Sequence, residues 1–123
     1  TQISSLPSYS TRKRELAKSL IIQQDSIRVL LSDNGIVDGD SITLIYDGKI
    51  ILTHHLLSAK AYEIKLPVSK DIQTHELIMY AENLGSIPPN TSLMIVYDGV
   101  KRHQVYIRAS ENSNAVVEFK RTL

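Results

Sequence analysis

From Ser26 onward the chain alternates apolar and polar residues with period two, and this pattern commits it to β-structure. Ile27, Val29 and Leu31 face one way and Arg28 the other. Ile42, Leu44 and Tyr46 alternate with Ser41 and Thr43, and Ile50 and Leu52 with Lys49 and Thr53. The same reading holds for Tyr62, Ile64 and Leu66, for Val105 and Ile107, and for Ala115, Val117 and Phe119. Two segments, Leu77-Ile78-Met79-Tyr80-Ala81 and Leu93-Met94-Ile95-Val96-Tyr97, are apolar at both parities. They read as central strands, or as strands whose outer face is also covered. Asp47-Gly48 and Asp98-Gly99 sit between strand runs, where a two-residue hairpin turn needs positive φ. Prolines fall only between runs, at Pro67 and Pro88-Pro89, or near the N-terminus. The expected architecture is an all-β, antiparallel β-sandwich, Ig-like or jelly-roll-like, of about eight strands.

The N-terminal stretch, residues 1–14, reads as a flexible tail or linker, because Ser, Thr, Pro and basic residues dominate it and Ile3 and Leu6 are its only aliphatic residues. The sandwich domain is assigned to residues 15–123. Its first segment, Glu15 to Ile22, carries both helical and strand signals and is read as a strand joining a sheet edge.

Several function classes lose support on composition. The formal net charge is +1, from 14 basic and 13 acidic residues, so no strong field selects nucleic acid or an anionic membrane. The sequence has no Cys, which removes thiolate zinc sites and a Cys nucleophile. No apolar run approaches the roughly 20 residues of a membrane helix. The sequence lacks a Gly-x-Ser-x-Gly elbow, a phosphate-cradling glycine loop and a zinc-protease motif. A hydrolase would need a Ser-His-Asp constellation buried in a cleft, and the four histidines read as surface or turn residues. His54 and His55 are adjacent, so on a strand they point to opposite faces and cannot chelate together. The chain is therefore read as non-enzymatic.

Two polar loops hold the candidate site residues, since a rigid sandwich carries function on its loops. In Asp33-Asn34-Gly35-Ile36-Val37-Asp38-Gly39-Asp40, the carboxylates of Asp33, Asp38 and Asp40 would suit a hard cation. Ca²⁺ takes about six to eight oxygen ligands, and Glu82 or Asn83 would help complete the shell. The competing and preferred reading is that Asp and Asn bond their own backbone in turns. In Ala81-Glu82-Asn83-Leu84-Gly85-Ser86-Ile87-Pro88-Pro89-Asn90-Thr91, two prolines stiffen the loop, and Asn83, Ser86, Asn90 and Thr91 are candidate binding residues. If strand directions alternate, the connections at 33–40, 54–60, 82–91 and 109–114 share one end of the sandwich. The two Asp-Gly turns and the 67–74 loop share the other.

The stretches Asp33 to Ile42 and Ala81 to Met94 resemble a family of secreted or envelope proteins from Bacteroidetes, over about residues 12–121. The resemblance implies an exported bacterial β-sandwich, secreted or in the periplasm and cell envelope, often at the C-terminal end of a longer protein. It carries no catalytic residue. Together these readings lead to the expectation of a module that binds a protein partner or packs on a neighbouring domain. The alternatives are a calcium-stabilised sandwich, and a carbohydrate-binding one with tyrosines exposed as a stacking platform. No cofactor is expected beyond that candidate Ca²⁺.

Overall fold

A computed structural model describes residues 3, 6–33, 41–83 and 90–122, for Asn83 the backbone alone. These form nine strands: β1 (Lys13–Ile22), β2 (Ser26–Asp33), β3 (Ser41–Tyr46), β4 (Lys49–Leu56), β5 (Tyr62–Pro67), β6 (Thr74–Asn83), β7 (Asn90–Asp98), β8 (Lys101–Ala109) and β9 (Ser113–Arg121). They pair into a five-stranded sheet, β1-β9-β6-β3-β4, and a four-stranded sheet, β5-β2-β7-β8. Every pairing is antiparallel except β1 on β9. The molecule is an all-β sandwich, as the alternation implies.

The inward-facing residues of both sheets make one core, including Ile22, Val29, Leu44, Met79, Val96 and Phe119. Removing their side chains from water is the main favourable term holding the sheets together. The segment from Glu15 to Ile22 does form an edge strand, anchored by Leu20 and Ile22, whose side chains are buried while its other residues are exposed.

The alternation read for the fourth strand fails. Pairing shifts between Leu44/Leu52 and Ile45/Ile50, which leaves Ile51 as an extra residue in β4. Ile50 therefore packs outside the five-stranded sheet, against the cluster of Ile45 and Ile78, whereas Leu52 packs on the main core. The sequence reading placed those two on one face. A second bulge opposite Thr43 holds His54 at φ 47°. Bulges twist an edge strand away from further pairing.

The stretch read as a tail behaves differently from that expectation. Strand β1 starts at Lys13, and Leu6 is buried on the outer face of the five-stranded sheet with Ile45, Ile78, Tyr80 and Val116. Ile3 and Tyr9 pack on the same cluster. Polar contacts pin this strap: the Tyr80 hydroxyl donates to the Pro7 carbonyl at 2.5 Å, and the Asn114 amide to the Tyr9 carbonyl at 3.2 Å. The Arg12 guanidinium lies 4.0 Å from the Tyr80 ring centroid and donates to the Ala81 carbonyl at 3.1 Å. The apolar outer residues of β6 supply the reason, because they need a cover that the strap provides.

Both Asp-Gly turns exist, in different registers. Asp47 and Gly48 have φ of 49° and 81°, the pair of positive values that a type I′ turn requires. At the second turn β7 runs through Asp98, and the two linking residues are Gly99 and Val100, with φ positive at Gly99 alone among these three. Asp98 is held in the strand because its carboxylate accepts the backbone N–H groups of Gln23 and Gln24, both at 2.9 Å. That contact ties the β1–β2 turn to the β7–β8 turn.

Candidate functional site

Strand directions alternate along the chain, and the described ends of the polar connections, at Asp33, Ser41, Ser58 and Asn90, come together. The Asp33 N–H donates to the Ser58 carbonyl at 2.8 Å, and the Asn90 amide to the Ser41 carbonyl at 3.1 Å. Asp33 ends β2 opposite Ser92 of β7 and points into the sandwich, where Asn90 and Ser92 are also buried. Thr91 lies on the outer side of β7, in register with Arg108. Glu82 does not join Asp33. It faces the outside of the five-stranded sheet, where its carboxylate accepts the Thr43 hydroxyl and stands 3.7 Å from His54 Nδ1. Asp38, Asp40 and Ser86, with the side chain of Asn83, lie outside the described residues. Among the described residues no three His, Asp or Glu side chains are grouped as a metal would need.

At the opposite end sits a cluster the sequence reading did not select. His75 is 3% exposed, not a surface histidine. Its Nδ1 lies 2.5 Å from Asp47 Oδ2, and its Nε2 lies 3.0 Å from the Ser69 backbone nitrogen. The arrangement has the residue types of a hydrolytic triad but not the chemistry. Nε2 accepts the Ser69 backbone N–H, so the lone pair a general base would use is occupied. The Ser69 hydroxyl instead accepts the Asp71 N–H at 3.1 Å. Nδ1 therefore carries the ring proton and donates it to Asp47, whose other oxygen accepts the Glu76 N–H at 2.8 Å. Tyr46 stacks on the imidazole, with centroids 5.6 Å apart, and donates its hydroxyl to the Pro67 carbonyl at 2.6 Å. The cluster is a lock between the β3–β4 turn and the β5–β6 loop. Its sequence signal was parity: residue 75 shares the inward face of β6 with Leu77, Met79 and Ala81.

The third feature is the outer face of the four-stranded sheet. Register aligns Lys65, Arg28, Tyr97 and Arg102 in one row across it, and Glu63, Leu30, Ile95 and Gln104 in the next. Ser32, Leu93 and Tyr106 form a third row. Leu30, Leu93, Ile95 and Tyr97 are half-buried, while Tyr106 remains 61% exposed. The Arg28 guanidinium stacks 4.7 Å from the Tyr97 centroid and pairs with Glu63 at 3.2 Å. Gln104 donates to the Tyr106 hydroxyl at 2.7 Å and accepts from Arg102 at 3.2 Å. The result is an aliphatic and aromatic stripe with its polar groups fixed and guanidinium groups along its rim. No described residue covers it, in contrast to the strapped outer face of the other sheet.

Comparison with protein-family models, with curated proteins and with solved structures gives no match for this chain.

Proposed function

We propose that the protein is a non-catalytic binding module that docks a protein partner on the outer face of its four-stranded sheet. One observation carries the reading. Strands β6 and β7 are apolar at both parities; the strap covers the outer residues of β6, and those of β7 have no cover among the described residues. Exposed apolar patches rimmed by polar groups mark interaction surfaces, and Tyr and Arg are the residues such surfaces favour. Among the described residues of this face Arg28, Lys65, Arg102 and Arg108 outnumber the acid Glu63, so the partner carries acidic groups around an apolar centre. That the module works outside the cytoplasm is part of the proposal and rests on the resemblance of the two polar loops alone.

The test is photo-crosslinking of the full protein in its native cell, with Tyr106 replaced by p-benzoylphenylalanine. A discrete protein adduct, absent when the same probe replaces Glu111, is the expected outcome. Absence of any adduct at position 106 sinks the reading. A second reading, carbohydrate binding, draws on the exposed Tyr106 ring with Gln104 beside it. A glycan that protects Tyr106 from modification, with no protein adduct, selects that alternative.

A further inference from the structure

We infer that the gap between the edge strands β4 and β5 is a binding site for a small amphipathic anion, a short- to medium-chain aliphatic carboxylate. The two strands are edges of different sheets and do not pair with each other. At the upper end His55 meets Tyr62, with ring centroids 4.5 Å apart, and closes the gap. Below that contact it opens as a cleft of about 470 Å³. This lies within the size range, roughly 300–1,000 Å³, of sites for small organic ligands.

The lining sets the chemistry of the occupant. Ile51, Ile64, Leu66 and Ile72 give aliphatic walls, and Tyr46 lies at the lower end. Polar groups at that end are already satisfied: the Tyr46 hydroxyl is bonded to Pro67, and both His75 nitrogens have partners. A ligand buried there finds no group waiting for a hydrogen bond, so its body must be apolar. The rim is different. Lys49 and Lys65 line the cleft, and neither forms an ion pair among the described residues. One carboxylate, Asp47, also lines the cleft, but its oxygens are engaged by His75 and the Glu76 N–H, and the two lysines leave one positive charge in excess. Apolar walls with Lys49 and Lys65 in the lining, against the single carboxylate of Asp47, fit an aliphatic tail carrying one negative head.

The experiment is a titration of the isotopically labelled full protein with octanoate, followed by the methyl resonances of Ile51, Ile64 and Ile72. Octanol and octylammonium serve as controls of equal chain length. Saturable shifts confined to these methyls are expected, with octanoate bound roughly tenfold tighter than octylammonium. The double variant Lys49→Glu/Lys65→Glu, both positions exposed and thus tolerant of the change, is expected to weaken octanoate by a similar factor while its melting midpoint holds. Ile72→Asp is expected to abolish the shifts. No saturable shift with millimolar octanoate overturns the proposal. Equal binding of octanol that the lysine variants leave unchanged also overturns it, and marks the cleft as a seat for a neutral apolar side chain.

Discussion

At the scale of single residues, the structure depends on buried polar groups with assigned partners. His75 is the clearest case. Truncation to Ala would leave the Ser69 N–H and one Asp47 oxygen without their partner and open a space beneath Tyr46. His75→Ala is expected to lower the stability by about 2–4 kcal/mol, measured as a shift in the urea midpoint. A change under ~1 kcal/mol would mean that the lock does not couple the two loops. Tyr46 supplies a pH signature. Burial, with Asp47 adding to it, pushes its phenol well above the ordinary tyrosine range, and burial also raises Tyr9 and Tyr80. An unfolded tyrosine loses its proton near pH ~10, whereas the folded one retains it to higher pH. Above pH ~10 the unfolded state therefore binds fewer protons, and stability falls as pH rises. Denaturant titrations across that range should show a shallower fall for Tyr46→Phe, with the shares of Tyr9 and Tyr80 remaining. His103 acts in the opposite limb. Burial, then Lys101, lowers its pKa against the pull of Asp98, so its contribution is present above pH ~6.5 and fades as the solution is acidified.

At the scale of elements, the strap shows how weak local signals become strong in context. Ile3, Leu6 and Tyr9 are spaced three apart among Ser, Thr and Pro, and i→i+3 bonds from the Leu6 N–H to the Ile3 carbonyl and from the Tyr9 N–H to the Leu6 carbonyl put them one turn apart, too short a run to announce a helix in the sequence. Only the outer residues of β3, β6 and β9, brought side by side by sheet pairing, make a surface for them. Leu6→Ala is accordingly expected to cost about 2 kcal/mol in chemical denaturation, where a solvated tail residue would cost nothing measurable. Turn chemistry shows the same dependence. Asp47-Gly48 and Asp98-Gly99 share one dipeptide, yet Asp98 stays in its strand because two backbone amides from another turn bind its carboxylate. The dipeptide marks a turn in both places, and its register is set by a partner far away in the chain.

At the scale of the whole molecule, two outer sheet faces of similar apolar character end differently. One is closed by the chain itself, and the other carries the stripe of Leu30, Leu93, Ile95, Tyr97 and Tyr106 to the surface. The double variant Leu93→Asp/Tyr106→Asp should keep its melting midpoint close to that of the parent, since both side chains lie outside the core. It should lose the crosslinked adduct seen through another position of the same face. A large drop in the midpoint would assign the stripe to folding rather than to binding.

Much of the fold is legible in the residues because strand parity is a local property. Alternation placed the strands, and their alternating directions brought Asp33 to Ser58 and Asn90 to Ser41 at one end. The doubled apolarity of β6 and β7 also announced that outer faces would need covering. What the chain order could not decide is which side chains meet. Glu82 and Asp33 both lie at the polar end, yet they stand on opposite sides of the five-stranded sheet, Glu82 with Thr43 and Asp33 in the interior. His75, Asp47 and Ser69 looked like unrelated polar residues until two loops were folded against each other. The cleft between β4 and β5 exists because those strands became edges of different sheets. The sequence by itself determined strands, parity and turns, since these follow from neighbouring residues. Tertiary structure alone decided the lock, the strap, the sheet face that no described residue covers, and the cleft, because each depends on contacts between segments that only sheet pairing and sandwich packing bring together.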